Sequence, residues 1–233
     1  MSYTNSGQKV GWGYAAKQFT SGVVPADRID FLRKVYSYFF LSIVVAGVGG
    51  YIGVTNFEAV LPLLGWPIFI VEILLLLACF SMQRVPGINI ALLGAFSMIS
   101  GIAIAPALLM AIGKTGGIAV IFQAYLMTLF CFGGITAYVF ISKKDFSYLG
   151  GFLFVALFGL ILSGIFMWFF GMTGGGLIYS WITIFIFCGF VLFDTSRILY
   201  HYNDGEEIGA AISLYLDFIN IFLALLSIMI NRD

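Results

Sequence analysis

Residues 210–230 read AAISLYLDFINIFLALLSIMI, an apolar stretch interrupted by one acidic residue, Asp217. A helix needs about 20 apolar residues to cross a hydrocarbon core of roughly 30 Å, so this stretch predicts a transmembrane helix. Its small and polar residues recur at helical spacing and form one stripe that must face protein or water. The stripe consists of Ser213, Asp217, Asn220, Ala224 and Ser227.

The composition of the whole chain is that of a membrane protein. Of its 233 residues, 61% are apolar and 9% are charged, against roughly 45–50% and about 25% in soluble domains. We therefore predict an all-α membrane protein, with residues 1–35 as a flexible tail and residues 36–230 as a domain of seven transmembrane helices in the lipid bilayer. The predicted spans are Tyr36–Tyr51, Trp66–Met82, Ile88–Ile112, Ile118–Ile141, Tyr148–Phe170, Leu177–Tyr200 and Ala210–Ile230.

The distribution of Lys and Arg predicts the orientation of these spans. Nine of the 11 basic residues fall in the tail and in the second, fourth and sixth connections, whereas Lys114 and Arg232 fall on the other side. Because basic residues are retained on the cytoplasmic side, we expect a cytoplasmic N-terminus. Seven spans then place the C-terminus outside, unless the last segment dips into the membrane and returns. The compact chain favours a bacterial inner membrane.

Three acidic residues, Glu72, Asp194 and Asp217, lie well inside predicted spans, where ionisable groups are costly and often functional. At about 1.5 Å per residue, the two aspartates lie roughly 9–11 Å below the same surface on consecutive antiparallel helices. Carboxyl groups held together in a low dielectric share a proton, repel each other once both are ionised, and then suit Ca²⁺ as ligands. They predict a proton-controlled gate that responds to Ca²⁺. The alternative is structural, with Asp194 paired to Arg197 and Asp217 hydrogen-bonded to Asn220.

The polar stripe also indicates residues of a possible aqueous pathway. Ser213 and Asn220 share the stripe with Asp217, and an inward-facing polar seam suits either a close helix contact or the wall of such a pathway. Glu72 has no basic residue within one helical turn. We therefore expect Glu72 to be protonated or to face a cavity.

Three motifs resemble those of a known family. FDTSRI at 193–198 and AISLYLDFINIFLALL at 211–226 resemble the end of the transmembrane Bax inhibitor motif family, and KKDFSYLG at 143–150 is similar to its fourth connection. The resemblance implies a bundle of six helices around a central C-terminal helix. It also implies a pH-sensitive calcium leak channel with Asp194 and Asp217 as the pH sensor. A membrane-bound AAA protease, with which a bacterial relative associates, is an implied partner.

One position departs from the family pattern. Relatives have an arginine near the end of the second helix that latches to the aspartate of the last helix. Gln83 stands at that place here, and Arg84 follows it. One residue turns a helix by about 100°, so the sequence leaves open whether Arg84 reaches Asp217. Glu72 matches an acidic position of the same helix, which supports its place in the pathway.

Other classes of function have weaker support. His201 is the only histidine and lies in a turn, and no catalytic grouping is evident, so we expect neither an enzyme nor a cofactor. The balanced charge argues against nucleic-acid binding. Cys79, Cys131 and Cys188 lack metal-binding spacing and are expected to fill apolar space. A proton-coupled transporter, or a regulatory protein that binds a partner through residues 1–30, is the alternative.

Overall fold

The structure is a computed structural model that describes residues 26–114, 117–170 and 176–231. Within these ranges the chain is helical and contains no strand. The α-helices are α1 (Ala26–Thr55), α2 (Phe57–Val60), α3 (Trp66–Ser81), α4 (Ile88–Ala103), α5 (Ala105–Gly113), α6 (Ile118–Ser142), α7 (Gly150–Phe169), α8 (Gly176–Tyr200) and α9 (Glu207–Ile230).

Six helical segments in the described ranges are long and apolar enough to cross a membrane. They are α1, α4 with α5, α6, α7, α8 and α9. The second predicted span, Trp66–Met82, corresponds to one arm of a bent pair, in which residues 57–63 and α3 meet at 75°. Gly65 precedes α3 with φ +93°, a left-handed conformation that glycine adopts without strain, and Pro67 lies in the first turn, where no amide donor is needed. The predicted count of seven holds when the bent pair is taken as one span.

The first helix corrects the predicted boundary between tail and membrane domain. It begins at Ala26 rather than Tyr36, and Phe31 and Val35 are only 2% and 0% exposed. Residues 28–35 mix these apolar side chains with charged ones, which lowers the mean hydropathy, although residues four apart share one face of a helix. Residues 26–35 therefore belong to the bundle. The flexible tail remains a prediction for residues 1–25, which lie outside the described ranges.

The last helix is the centre of the bundle. In its most apolar window 56% of α9 is buried, against 11–33% for the other spans. It packs against α1, α3, α4, α5, α6 and α8, whereas α7 packs mainly against α8. The expected bundle around a central C-terminal helix is therefore confirmed, with α7 placed outside α8.

The two ends of α9 lie at opposite ends of the bundle. At its C-terminal end, Lys114 Nζ donates to the carbonyl oxygen of Ile230 at 2.8 Å, next to the connection that follows α5. At its other end, the turn 201–206 lies beside the start of α1. The helix thus runs through the bundle and does not return. We call the end that contains the start of α1 and connections 82–87, 143–149 and 201–206 the basic end.

Candidate functional site

Asp194 and Asp217 lie on the neighbouring helices α8 and α9, near the basic end. Asp194 lies in the last two turns of α8 and is 6% exposed, and Asp217 lies in α9 and is 3% exposed. The two helices pack extensively against each other. Both acidic residues predicted inside the spans are therefore buried in the bundle, and their action as a pair stays a prediction.

Asp194 has a cation beside it. Arg197 Nη1 lies 3.8 Å from Asp194 Oδ1, one helical turn further along α8. The Arg197 guanidinium also lies over the rings of Phe193 and Tyr202, at 5.3 and 4.8 Å from their centroids. The ion pair expected under the structural alternative is present, at a distance too long for a strong hydrogen bond.

The structural alternative also paired Asp217 with Asn220, and this hydrogen bond is not formed in the structure. Its Oδ2 atom is buried and has no hydrogen-bond partner among the described residues. Asn220 Nδ2 donates instead to the carbonyl oxygen of Leu216, at 2.7 Å. Buried polar atoms are nearly always hydrogen-bonded, so this oxygen marks Asp217 as functionally unusual.

The other candidate pathway residues make polar contacts on two different faces of α9. The hydroxyl oxygens of Ser213 and Tyr202 are 3.3 Å apart at the basic end. Deeper in the bundle, the Tyr215 hydroxyl donates to Ser100 Oγ at 3.0 Å, and half-buried Glu72 lies beside Ser100. Polar groups therefore connect α3 through α4 to the central helix.

The two candidate latch residues contact the start of α9 rather than Asp217. Arg84 Nη2 lies 2.8 Å from Glu206 Oε1, and the Gln83 side-chain oxygen lies directly against Gly209. The sequence left the reach of Arg84 open. In this structure Arg84 holds the turn that leads into α9.

Further contacts fix the same turn. Burial raises the pKa of Glu206, but the Asn203 backbone N–H and Arg84 donate to its carboxylate and hold the pKa below its usual value. Lys34 Nζ of α1 lies 3.5 Å from Glu207 Oε1. The acidic turn is therefore bound by basic residues from α1 and from the connection after α3.

A cluster on Asp145 was not foreseen from the sequence. Its carboxylate accepts hydrogen bonds from the Ser147 amide and the Ser196 hydroxyl, both at 2.9 Å, and lies 2.9 Å from His201 Nε2. Burial raises the pKa of Asp145, but these hydrogen bonds outweigh it and lower the pKa to about 2. The cluster ties connection 143–149 to the end of α8. Only the local Asp-x-Ser turn had a signal in the sequence.

Arg28 also binds the end of α8. Its side chain donates to the carbonyl oxygens of Leu199 at 3.1 Å and Tyr202 at 2.7 Å, and to that of Ile198. The last carbonyls of a helix generally lack a partner within it, and a cation near a helix C-terminus is favourable. Arg28, which was predicted to lie in the flexible tail, thus forms a structural contact with Ile198, 170 positions away in the chain.

The described residues contain no group of three or more His, Cys, Asp or Glu side chains placed to hold a metal ion. Calcium ligation by Asp194 and Asp217 therefore stays a prediction.

The fold and the site define a multi-pass, all-α membrane protein with one buried aspartate on its central helix and another on the neighbouring helix α8. A family model described as "Inhibitor of apoptosis-promoting Bax1" matches residues 28–233. The chain belongs to this family of Bax inhibitor membrane proteins, as its motifs indicated.

Named relatives come from bacteria and eukaryotes. The chain is 32% identical over 207 residues to Protein lifeguard 4 of Mus musculus, covering 87% of this chain and 85% of that protein. It is 32% identical over 208 residues to Bax inhibitor 1 of Schizosaccharomyces pombe, covering 87% of this chain and 76% of that protein. It is also 32% identical over 204 residues to an uncharacterized protein of Helicobacter pylori, covering 88% and 87%.

Proposed function

We propose that this protein is a slow calcium leak channel that closes when the pair Asp194 and Asp217 holds a proton and opens when both are ionised. One observation carries the proposal. Asp217 Oδ2, on the central helix, is buried without a hydrogen-bond partner among the described residues, and the helix packed most extensively against it carries the equally buried Asp194.

The gating follows from like charges in a low dielectric. Arg197 lies beside Asp194, so one negative charge at the site has a counter-ion. A second charge on Asp217 would have no such counter-ion, because no salt bridge to Asp217 is formed among the described residues and its Oδ2 atom has no hydrogen-bond partner there. Repulsion between two carboxylates is strong away from water, so ionisation favours separation of α8 from α9 and entry of water and Ca²⁺. Protonation removes the repulsion and closes the site.

Polar groups around the central helix are candidates for the conducting route. Ser213 lies beside Tyr202, and Glu72 lies beside Ser100, which accepts a hydrogen bond from Tyr215 of the central helix. Oxygen atoms are the ligands that Ca²⁺ prefers. We infer that these groups, together with Asn220, line the path that opens when the aspartates separate.

Calcium entry into liposomes across pH 5 to 8 tests the proposal. In the native protein the flux should rise with pH, whereas Asp194→Asn and Asp217→Asn should keep it low at every pH, because a neutral amide cannot ionise. Asp30→Asn is a matched control, since Asp30 is 69% exposed and pairs only with Arg33 on the surface of α1 among the contacts described. No flux above that of empty liposomes, or an unchanged pH dependence in both site variants, would overturn the proposal.

We also infer that the basic end faces the cytoplasm of a bacterial inner membrane. The described basic residues lie at that end except Lys114, as expected for a cytoplasmic surface. In a cysteine-free background, Lys143→Cys should react with an impermeant maleimide only after spheroplasts are opened. Lys114→Cys should react in intact spheroplasts, and the reverse pattern would show the opposite orientation.

A further inference from the structure

Two of the three cysteines lie side by side in the middle of the bundle. Cys131 Sγ of α6 and Cys188 Sγ of α8 are 3.4 Å apart. Both side chains are half-buried, and neither forms a disulfide bond in this structure. Cys79, by contrast, is fully buried in α3 and has no sulfur neighbour among the described residues.

The position of the pair follows from the packing of two long helices. Each of α6 and α8 has 25 residues, and each cysteine lies at the midpoint of its helix. Both helices run from the end of the bundle near Lys114 towards the basic end, and they pack against each other. Parallel helices that start at the same level bring their midpoints together, so the two sulfur atoms are held at the same depth.

We propose that Cys131 and Cys188 form a reversible disulfide bond when a small uncharged peroxide reaches the middle of the bundle. A bonded pair has an S–S distance of about 2.05 Å, so the sulfur atoms must approach by roughly 1.3 Å, which rotation about the side-chain torsions supplies. A matched pair of this kind was not expected from the sequence, in which the cysteines are 57 positions apart.

The chemistry balances with hydrogen peroxide as the oxidant. One cysteine sulfur attacks a peroxide oxygen, the O–O bond breaks, and a sulfenic acid and one water form. The second sulfur attacks the sulfenic sulfur, the S–S bond forms, and the second water leaves with the thiol proton. In sum, two thiols are oxidised to one disulfide and one peroxide is reduced to two waters.

The disulfide would lie next to the paired aspartates. Cys188 lies on α8 six residues, or about 9 Å along the helix, before Asp194, one of the two proposed gate residues. A bond between Cys131 and Cys188 fixes α8 to α6 and therefore restrains movement of α8 away from α9. This consequence for flux rests on the proposed function, whereas formation of the disulfide does not.

Thiol counting in liposomes tests the pair. The variant Cys79→Ala keeps only the two cysteines of interest. After peroxide treatment and denaturation, the number of thiols labelled by a maleimide mass tag should fall from two to zero and return to two with dithiothreitol. The double variant Cys79→Ala with Cys131→Ala is the matched control and should keep its one labelled thiol. Retention of both thiols, loss that dithiothreitol does not reverse, or a bond between two chains would overturn the proposal.

Calcium flux in the same liposomes tests the restraint. Peroxide should slow the flux at pH 8 in Cys79→Ala, dithiothreitol should restore it, and the double variant should not respond. An intramolecular disulfide without any change in an existing flux would overturn the link to the gate. Absence of flux before oxidation would instead count against the calcium channel, while the thiol count still decides whether the pair forms.

Discussion

Replacement of Gly101 by alanine tests how closely α1 and α4 must pack. A Cβ atom at Gly101 would collide with the backbone of Ala46, contacting its carbonyl oxygen and lying 2.8 Å from its carbonyl carbon and 2.9 Å from its Cα. Carbon atoms pack at about 3.5 Å or more, so the carbonyl carbon alone requires the helices to separate by roughly 0.7 Å, and the closer carbonyl oxygen requires more. Because the obstacle is backbone on a helix, it cannot rotate away as a flexible side chain would.

The expected cost follows from overpacking. Extra methyl groups in a filled core cost typically about 1–3 kcal/mol, and this contact involves the most extensive helix pair of the bundle. Gly94 provides the matched control on the same helix, because a Cβ there meets no atom within 4 Å. Alanine at Gly94 should be neutral or stabilise the protein by up to about 1 kcal/mol through helix propensity.

Unfolding in mixed micelles with increasing SDS, followed by circular dichroism, measures both changes. We expect the midpoint of Gly101→Ala to fall below that of the native protein and that of Gly94→Ala to equal or exceed it. A Gly101→Ala midpoint as high as that of Gly94→Ala would refute the close backbone contact between α1 and α4.

The remaining predictions concern the basic end. Replacement of Arg28 by glutamine should lower the free energy of unfolding by about 1.5–3 kcal/mol for each charged hydrogen bond to Leu199 and Tyr202 that is lost, and the SDS midpoint should fall with it. Replacement by lysine should cost less, because it keeps the positive charge. The pKa of Asp145 is about 2 in the folded protein, whereas an aspartate in an unfolded chain has a pKa of about 3.9. The ionised carboxylate therefore stabilises the fold above about pH 4. This contribution disappears as the pH falls from about 4 to about 2. At pH 7 the native protein should therefore have a higher unfolding midpoint than Asp145→Asn, and near pH 2 this difference should vanish. A difference that persists near pH 2 would contradict the role of the carboxylate.

The spans and the central aspartate pair were predictable because both depend on local periodicity. An apolar run of about 20 residues identifies a span without reference to its neighbours. The spacing of Ser213, Asp217 and Asn220 fixes which side of α9 faces inward, and consecutive helices joined by a short turn must pair antiparallel. These constraints act within about 40 residues of chain, so the sequence expresses them directly.

The contacts at the basic end were not predictable on the same grounds. Arg84 and Glu206 are 122 positions apart, and Arg28 and Leu199 are 171 positions apart. Whether such side chains meet depends on the rotation of each helix about its axis. A shift of one position along a helix turns the direction of a side chain by about 100°. The amphipathic start of α1 was missed for a related reason, since averaging hydropathy over a window hides one buried face.

The distribution of ion pairs bears on how the proposed gate moves. At the basic end, Glu206 and Glu207 are each paired with a cation from another part of the bundle, and Arg28 binds the carbonyls at the end of α8. The turn between α8 and α9 is therefore held by three basic side chains, two from α1 and one from the connection after α3. We expect repulsion between Asp194 and Asp217 to move α8 on the far side of Asp194 rather than to open that turn. That segment contains Cys188 and its contact with α6. We therefore expect a cross-link at Cys188 to restrain the proposed gate more strongly than loss of the Arg84 ion pair frees it.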